Sequence, residues 1–122
     1  MARTLELTSS QPVKVTATVA QAVYDAADVL DADAVDLELG IVQYTGLTDA
    51  TVTVETSMQN EQDDGSWKTV VSFTQVTSGS SFPVYELKSL DQGFLRFLRW
   101  KVTVTGSGSL HFWLRGVARR YA

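Results

Sequence analysis

The sequence predicts an all-β fold, an antiparallel jelly-roll-like β-sandwich of seven or eight strands with one short helical turn near residues 21–32. Three observations carry that expectation. Residues 94–118 (FLRFLRWKVTVTGSGSLHFWLRGVA) alternate apolar and polar side chains at period two on either side of a Gly106-Ser107-Gly108 break. Upstream, short alternating runs recur between turn-forming residues. Only residues 20–33 (AQAVYDAADVLDAD) are rich in alanine, enough for a turn or two of helix and too little for an α/β fold.

Taken in order, Leu5 and Leu7 alternate with Thr4, Glu6 and Thr8, which predicts an N-terminal arm or edge strand within residues 1–12. Pro12 suits a strand start, where its missing N–H costs no ladder bond. Val13, Val15, Ala17 and Val19 form the next run. Val35, Leu37, Leu39 and Ile41 alternate with Asp36, Glu38 and Gly40 in a half-buried strand, with Gly40 a candidate bulge. A turn at residues 45–49 leads to Val52, Val54, Thr56 and Met58. The acidic loop of residues 59–66 (QNEQDDGS) precedes a strand from Trp67 to about Val76, whose inner face holds Trp67, Val71 and Phe73. Phe82-Pro83 opens a short strand to Leu87 with a proline-restricted step.

The last stretch reads as a long β-hairpin. Leu98, Trp100, Val102 and Val104 share one face, with Arg99, Lys101, Thr103 and Thr105 on the wet one. After the break Leu110, Phe112 and Leu114 face inward while His111, Trp113, Arg115 and Arg119 point out. Two such strands are not stable alone, so a second sheet must cover them. The expected core contains Leu37, Val54, Phe73, Trp100, Val102 and Phe112. Arg96 and Phe97 break the parity, with Leu95 and Phe97 apolar on one side and Leu98 with Trp100 on the other, so either a bulge sits near Phe97 or both faces are covered there.

With 122 residues and no cysteine, the chain reads as a single β-sandwich domain across residues 1–122, without disulfides or thiolate chemistry. No signal-like segment or apolar run of membrane-spanning length stands out, so a soluble, unprocessed protein is expected. A net charge of −4 argues against nucleic acid as a partner. Residues 1–64 hold 12 of the 14 acidic side chains with only Arg3 and Lys14 as bases, whereas residues 65–122 hold 8 bases against Glu86 and Asp91. These charges either neutralise each other within the subunit or meet between neighbouring copies.

Little in the sequence points to catalysis. The single histidine, His111, has no nucleophile or acid at motif spacing. Aspartates 25, 28, 31, 33 and 36 invite calcium, but the EF-hand pattern fails, and solvated loop or capping acids are the alternative. Neither a cofactor nor a metal is expected. Trp113 is the outward tryptophan, and exposed aromatics beside arginines are enriched at protein interfaces. The interface expected comprises Trp113, Arg115, Arg119, Arg120 and Tyr121, with Phe97, in a homo-oligomer, a dimer or a trimer.

Residues 52–58 (VTVETSM), the acidic loop into Asp64-Gly65-Ser66-Trp67, the strand at residues 70–73, the turn Leu90-Asp91-Gln92-Gly93 and the ending from Phe97 to Ala118 resemble small jelly-roll proteins encoded beside tailed-phage head genes. The resemblance implies a non-enzymatic virion structural protein similar to head decoration, or cement, proteins. Such a protein binds the major capsid protein at junctions between subunits on the capsid exterior, and is made in the host bacterial cytoplasm. The same strands also resemble discoidin-like domains, which implies a carbohydrate-binding or adhesion module of a phage tail or cell surface. Neither resemblance implies nucleic acid or membrane as a partner.

Overall fold

The computed structural model describes residues 2–8, 11–60 and 64–120. Among them are nine strands: β1 (Ala2–Glu6), β2 (Val13–Val15), β3 (Val19–Ala20), β4 (Ala27–Asp28), β5 (Ala34–Ser57), β6 (Lys68–Ser72), β7 (Val76–Thr77), β8 (Val84–Leu90) and β9 (Phe97–Arg119). Single 3-10 turns lie at Val23–Asp25 and Asp64–Ser66. The first is the short helical turn expected from residues 20–33, cut to one turn because β4 follows at Ala27.

The frame is a ribbon of β5 and β9, antiparallel from Ala34↔Arg119 to Ser57↔Phe97. Here the structure corrects the sequence reading twice. Residues 94–118 are not a hairpin, and residues 45–49 do not separate two strands. Both breaks fall at one place in the ribbon, where Leu47 pairs with Gly106 and the register shifts around it. Gly46 and Gly106 take φ of 81° and 92°, a conformation open to glycine at little steric cost. A Cβ on Gly108 would collide with the Thr45 carbonyl oxygen. The two strands therefore crease together; the inward positions stay even-numbered along β9, from Leu98 to Leu114, but pass from odd (Leu37, Leu39, Ile41) to even (Val52, Val54) along β5, where the register shifts.

Folding at the crease produces two layers. Sheet I contains β1 and β2, residues 110–119 of β9, residues 34–41 of β5, and β8. Sheet II contains β3 and β4, residues 97–105 of β9, residues 49–57 of β5, and β6 with β7. The order across each layer is that of a double-sheet jelly roll. The N-terminal arm pairs in cis, Ala2↔Arg119 through Glu6↔Arg115.

Between the layers, Leu37, Leu39, Ile41, Leu110, Phe112 and Leu114 of sheet I join Val52, Val54, Leu98, Trp100 and Val102 of sheet II in one buried cluster with Phe73. Each such side chain contributes roughly 1.5–3 kcal/mol when fully buried. Trp100 meets Phe112 edge-on at 5.1 Å between ring centroids. At one open side the buried Gln21 amide stitches the layers. Its Nε2 donates to the Leu7 carbonyl at 2.6 Å, and its Oε1 accepts the Trp100 N–H at 3.1 Å.

Candidate functional site

The outer face of sheet I carries the outward residues of β9. Antiparallel register sets Trp113 opposite Gly40, which is in turn opposite Tyr85, and sets Arg115 opposite Glu38 on β5 and Glu6 on β1, with Leu87 beyond Glu38. Gly40 is not a bulge; the register shift lies at Val42, between Ile41 and Gln43. Its lack of a Cβ has another cause, since the Trp113 indole occupies the space a Cβ there would need. The indole reaches across Gly40 to Tyr85, with centroids 5.9 Å apart and planes at 40°. The Arg115 guanidinium covers it at 4.2 Å from the ring centroid, within cation–π range. Tyr85 and Leu87 remain 59% and 66% exposed. His111, one step toward the crease and opposite Lys14, keeps a buried Nδ1 without a hydrogen-bond partner among the described residues.

The other expected interface residues scatter. Arg119 shares the face with Arg115 but is held by Asp36 at 2.6 Å. Hydrogen bonds from Ser89 and then Arg119 keep the Asp36 carboxyl below its ordinary pKa. Arg120 is exposed past the end of β9. Tyr121 lies outside the described residues. Phe97 does not join the others: it begins β9 in sheet II, half-buried between Asp28 and Ser57, with Arg96 stacked over it at 4.9 Å. No bulge interrupts the register at Phe97. The outer face beside it is instead covered by the chain's own Trp67.

That cover is the main difference between the two sheets. Arg99, expected in water, is buried in a 2.8 Å ion pair with Glu55, the side chains 4% and 8% exposed. Trp67, expected in the core, lies outside sheet II with the Arg99 guanidinium 4.5 Å from its ring centroid. Parity placed Arg99 correctly; a loop arriving from elsewhere in the chain made its face dry.

Acids of the first half meet bases of the second within the chain: Asp28 with Arg96, Glu55 with Arg99 and Asp36 with Arg119. Asp31 holds Arg3 at 2.8 Å. The arginine hydrogen bonds to Asp28 and Asp31 hold both carboxyls below their ordinary pKa. These aspartates thus turn to arginines, and among the described residues no three His, Cys, Asp or Glu side chains are grouped to hold a metal ion.

The free edge of β8 is guarded. Glu86 and Lys88 occupy inward positions opposite Leu39 and Leu37, a device that discourages edge-to-edge pairing. Glu86 also accepts the Thr74 N–H at 2.7 Å and its hydroxyl at 2.9 Å. Partners are therefore better met by a face than by this edge.

The sequence reading missed Tyr85, Leu87, Glu38 and Glu6 as members of the patch. Tyr85 and Leu87 alternate with Glu86 and Lys88, and the apolar parity looks like the buried one until β8 is known to be an edge strand. Pairing with β5 reverses that inference, because Lys88 and Glu86 oppose the inward leucines.

No protein-family profile and no curated protein sequence matches the chain. Solved structures do resemble it. A subunit from Bacillus endospore appendages, described as disulfide-linked pili, matches with 13% identity over 100% of this chain and 88% of its own, TM-score 0.55. The K1 cleaved adhesin domain of Lys-gingipain from Porphyromonas gingivalis matches with 8% identity over 100% and 99%, TM-score 0.56. A carbohydrate-binding module of Cellvibrio mixtus lichenase 5A, solved with cellotriose, matches with 8% identity over 98% of each chain, TM-score 0.52. At such identities these likenesses establish the β-sandwich fold alone. None of the three is a phage head protein.

Proposed function

We propose that the chain is a non-enzymatic binding and assembly domain that docks on protein through the outer face of sheet I. The observation that carries this reading is the contiguous patch of Leu87, Tyr85 and the Arg115-capped Trp113 on a face that the described residues leave uncovered. Aromatic and arginine side chains set in such a patch are the usual anchors of protein interfaces. In its finer form, drawn from the sequence resemblance, the protein decorates the exterior of a phage capsid at junctions between major capsid subunits. Binding the assembled shell but not its separate subunits stabilises the shell by mass action. A homo-oligomer, dimer or trimer, belongs to the same proposal. The N-terminal arm adds nothing to it, since β1 is paired within its own sheet.

The carbohydrate-binding or adhesion reading is the second one, favoured by the fold shared with the carbohydrate-binding module and the adhesin domain. Against it, Arg115 already covers the Trp113 ring on which a sugar would stack. One experiment separates the two: the protein is added to undecorated phage heads and, in parallel, to a glycan array. Retention on heads with a raised rupture temperature and a blank array is the expected result. Saturable, competable glycan binding with no retention on heads would replace the docking reading by the adhesion one.

A further inference from the structure

The row across sheet I at Arg115 is unbalanced. Glu6 and Glu38 stand directly opposite Arg115 from its two sides, one strand spacing away each, about 4.8 Å. Opposite charges so placed ordinarily pair across strands. Arg115 instead lies over Trp113, and among the described residues neither glutamate side chain makes a hydrogen bond or an ion pair. By contrast, Asp28, Asp31, Asp36 and Glu55 each hold an arginine. Both glutamates are exposed, and they flank the aromatic patch.

We propose that this face receives a basic protein segment, with two lysine or arginine side chains about 10 Å apart, twice the strand spacing, one on Glu6 and one on Glu38. An apolar residue of the same segment packs on Tyr85 and Leu87. Charge complementarity argues for such a partner over a second copy. The row reads acid, base, acid, and a copy laid over it in register meets like with like. The inference rests on the docking reading and specifies its partner.

The test titrates the isotope-labelled full chain at low salt with three probes and follows the Trp113 indole and Gly40 amide resonances by NMR. The probes are acetyl-Arg-Leu-Gly-Arg-amide, its glutamate counterpart, and cellotriose. Saturable shifts are expected with the arginine peptide alone, weakening as salt rises. Glu6→Gln with Glu38→Gln should weaken that binding about tenfold, as loss of complementary charge at an interface does. Absence of binding, an unaffected double variant, shifts with cellotriose, or concentration-dependent shifts without any probe, which would make a second copy the occupant, each overturns the proposal. Head retention separates it from the reading beneath it. If Tyr85→Ser with Leu87→Ser abolishes retention while the glutamine variant does not, the basic-segment proposal fails and docking stands. If neither variant changes retention, docking through this face fails too.

Discussion

The outer faces of the two sheets are built from the same parts and finished differently. Each sets an arginine of β9 against a tryptophan, Arg99 with Trp67 on sheet II and Arg115 with Trp113 on sheet I. On sheet II the glutamate opposite the arginine closes the pair, Arg99 to Glu55 at 2.8 Å, and the tryptophan roofs it. On sheet I the glutamates opposite the arginine remain unpaired among the described residues, and the neighbouring Tyr85 and Leu87 lie in solvent. One face is complete within the chain. The other has the chemistry of a contact without its second surface, which is why the docking proposal falls there.

The largest expected effect breaks the closed face. Glu55→Ala removes the buried carboxylate that Arg99 holds at 2.8 Å and should cost about 3–5 kcal/mol in urea unfolding, whereas Glu38→Ala, at the equivalent place on the open face, should stay within about 0.5 kcal/mol. Similar costs for the two would mean that the faces do not differ as described. Gly40→Val comes next. Its side chain must displace the Trp113 indole, so a cost of about 1–3 kcal/mol is expected from overpacking, together with loss of head retention. Retention at the wild-type level would show that the position of Trp113 across Gly40 is unimportant for docking.

The smallest effect concerns acid. Asp28, Asp31 and Asp36 carry pKa values depressed below the ordinary 3.8. Their contribution is fully present above that value and is lost as pH falls through the lower folded-state values. All three are solvent-exposed pairs, so each contributes little. The melting temperature should decline only gently below about pH 4, and Arg96→Ala should remove the part due to Asp28. A steep loss above pH 5 would place the titrating groups elsewhere.

Which parts of this were legible in the sequence follows from the range of the interactions involved. The six expected core residues, Leu37, Val54, Phe73, Trp100, Val102 and Phe112, are all buried, because strand parity is a local property that is read separately on each side of the crease. The crease itself was not legible. Gly106-Ser107-Gly108 reads as a turn until Gly46 is found facing it across the ribbon, a pairing of residues about sixty positions apart. Arg99 and Trp67 failed for the same reason: parity fixes a face, and only the fold fixes what covers it. Trp113 and Arg115 were legible as outward residues. Tyr85, Leu87, Glu6 and Glu38 were not, since strand register alone gathers them around Arg115.

Oxidative footprinting of the protein free and bound to undecorated heads compares the two faces in a single sample. Tyr85 and Trp113 on sheet I should become protected on binding. Met58, 56% exposed just beyond the sheet II end of β5, should react equally in both states. Protection of Met58 with Tyr85 and Trp113 unchanged would contradict docking through sheet I.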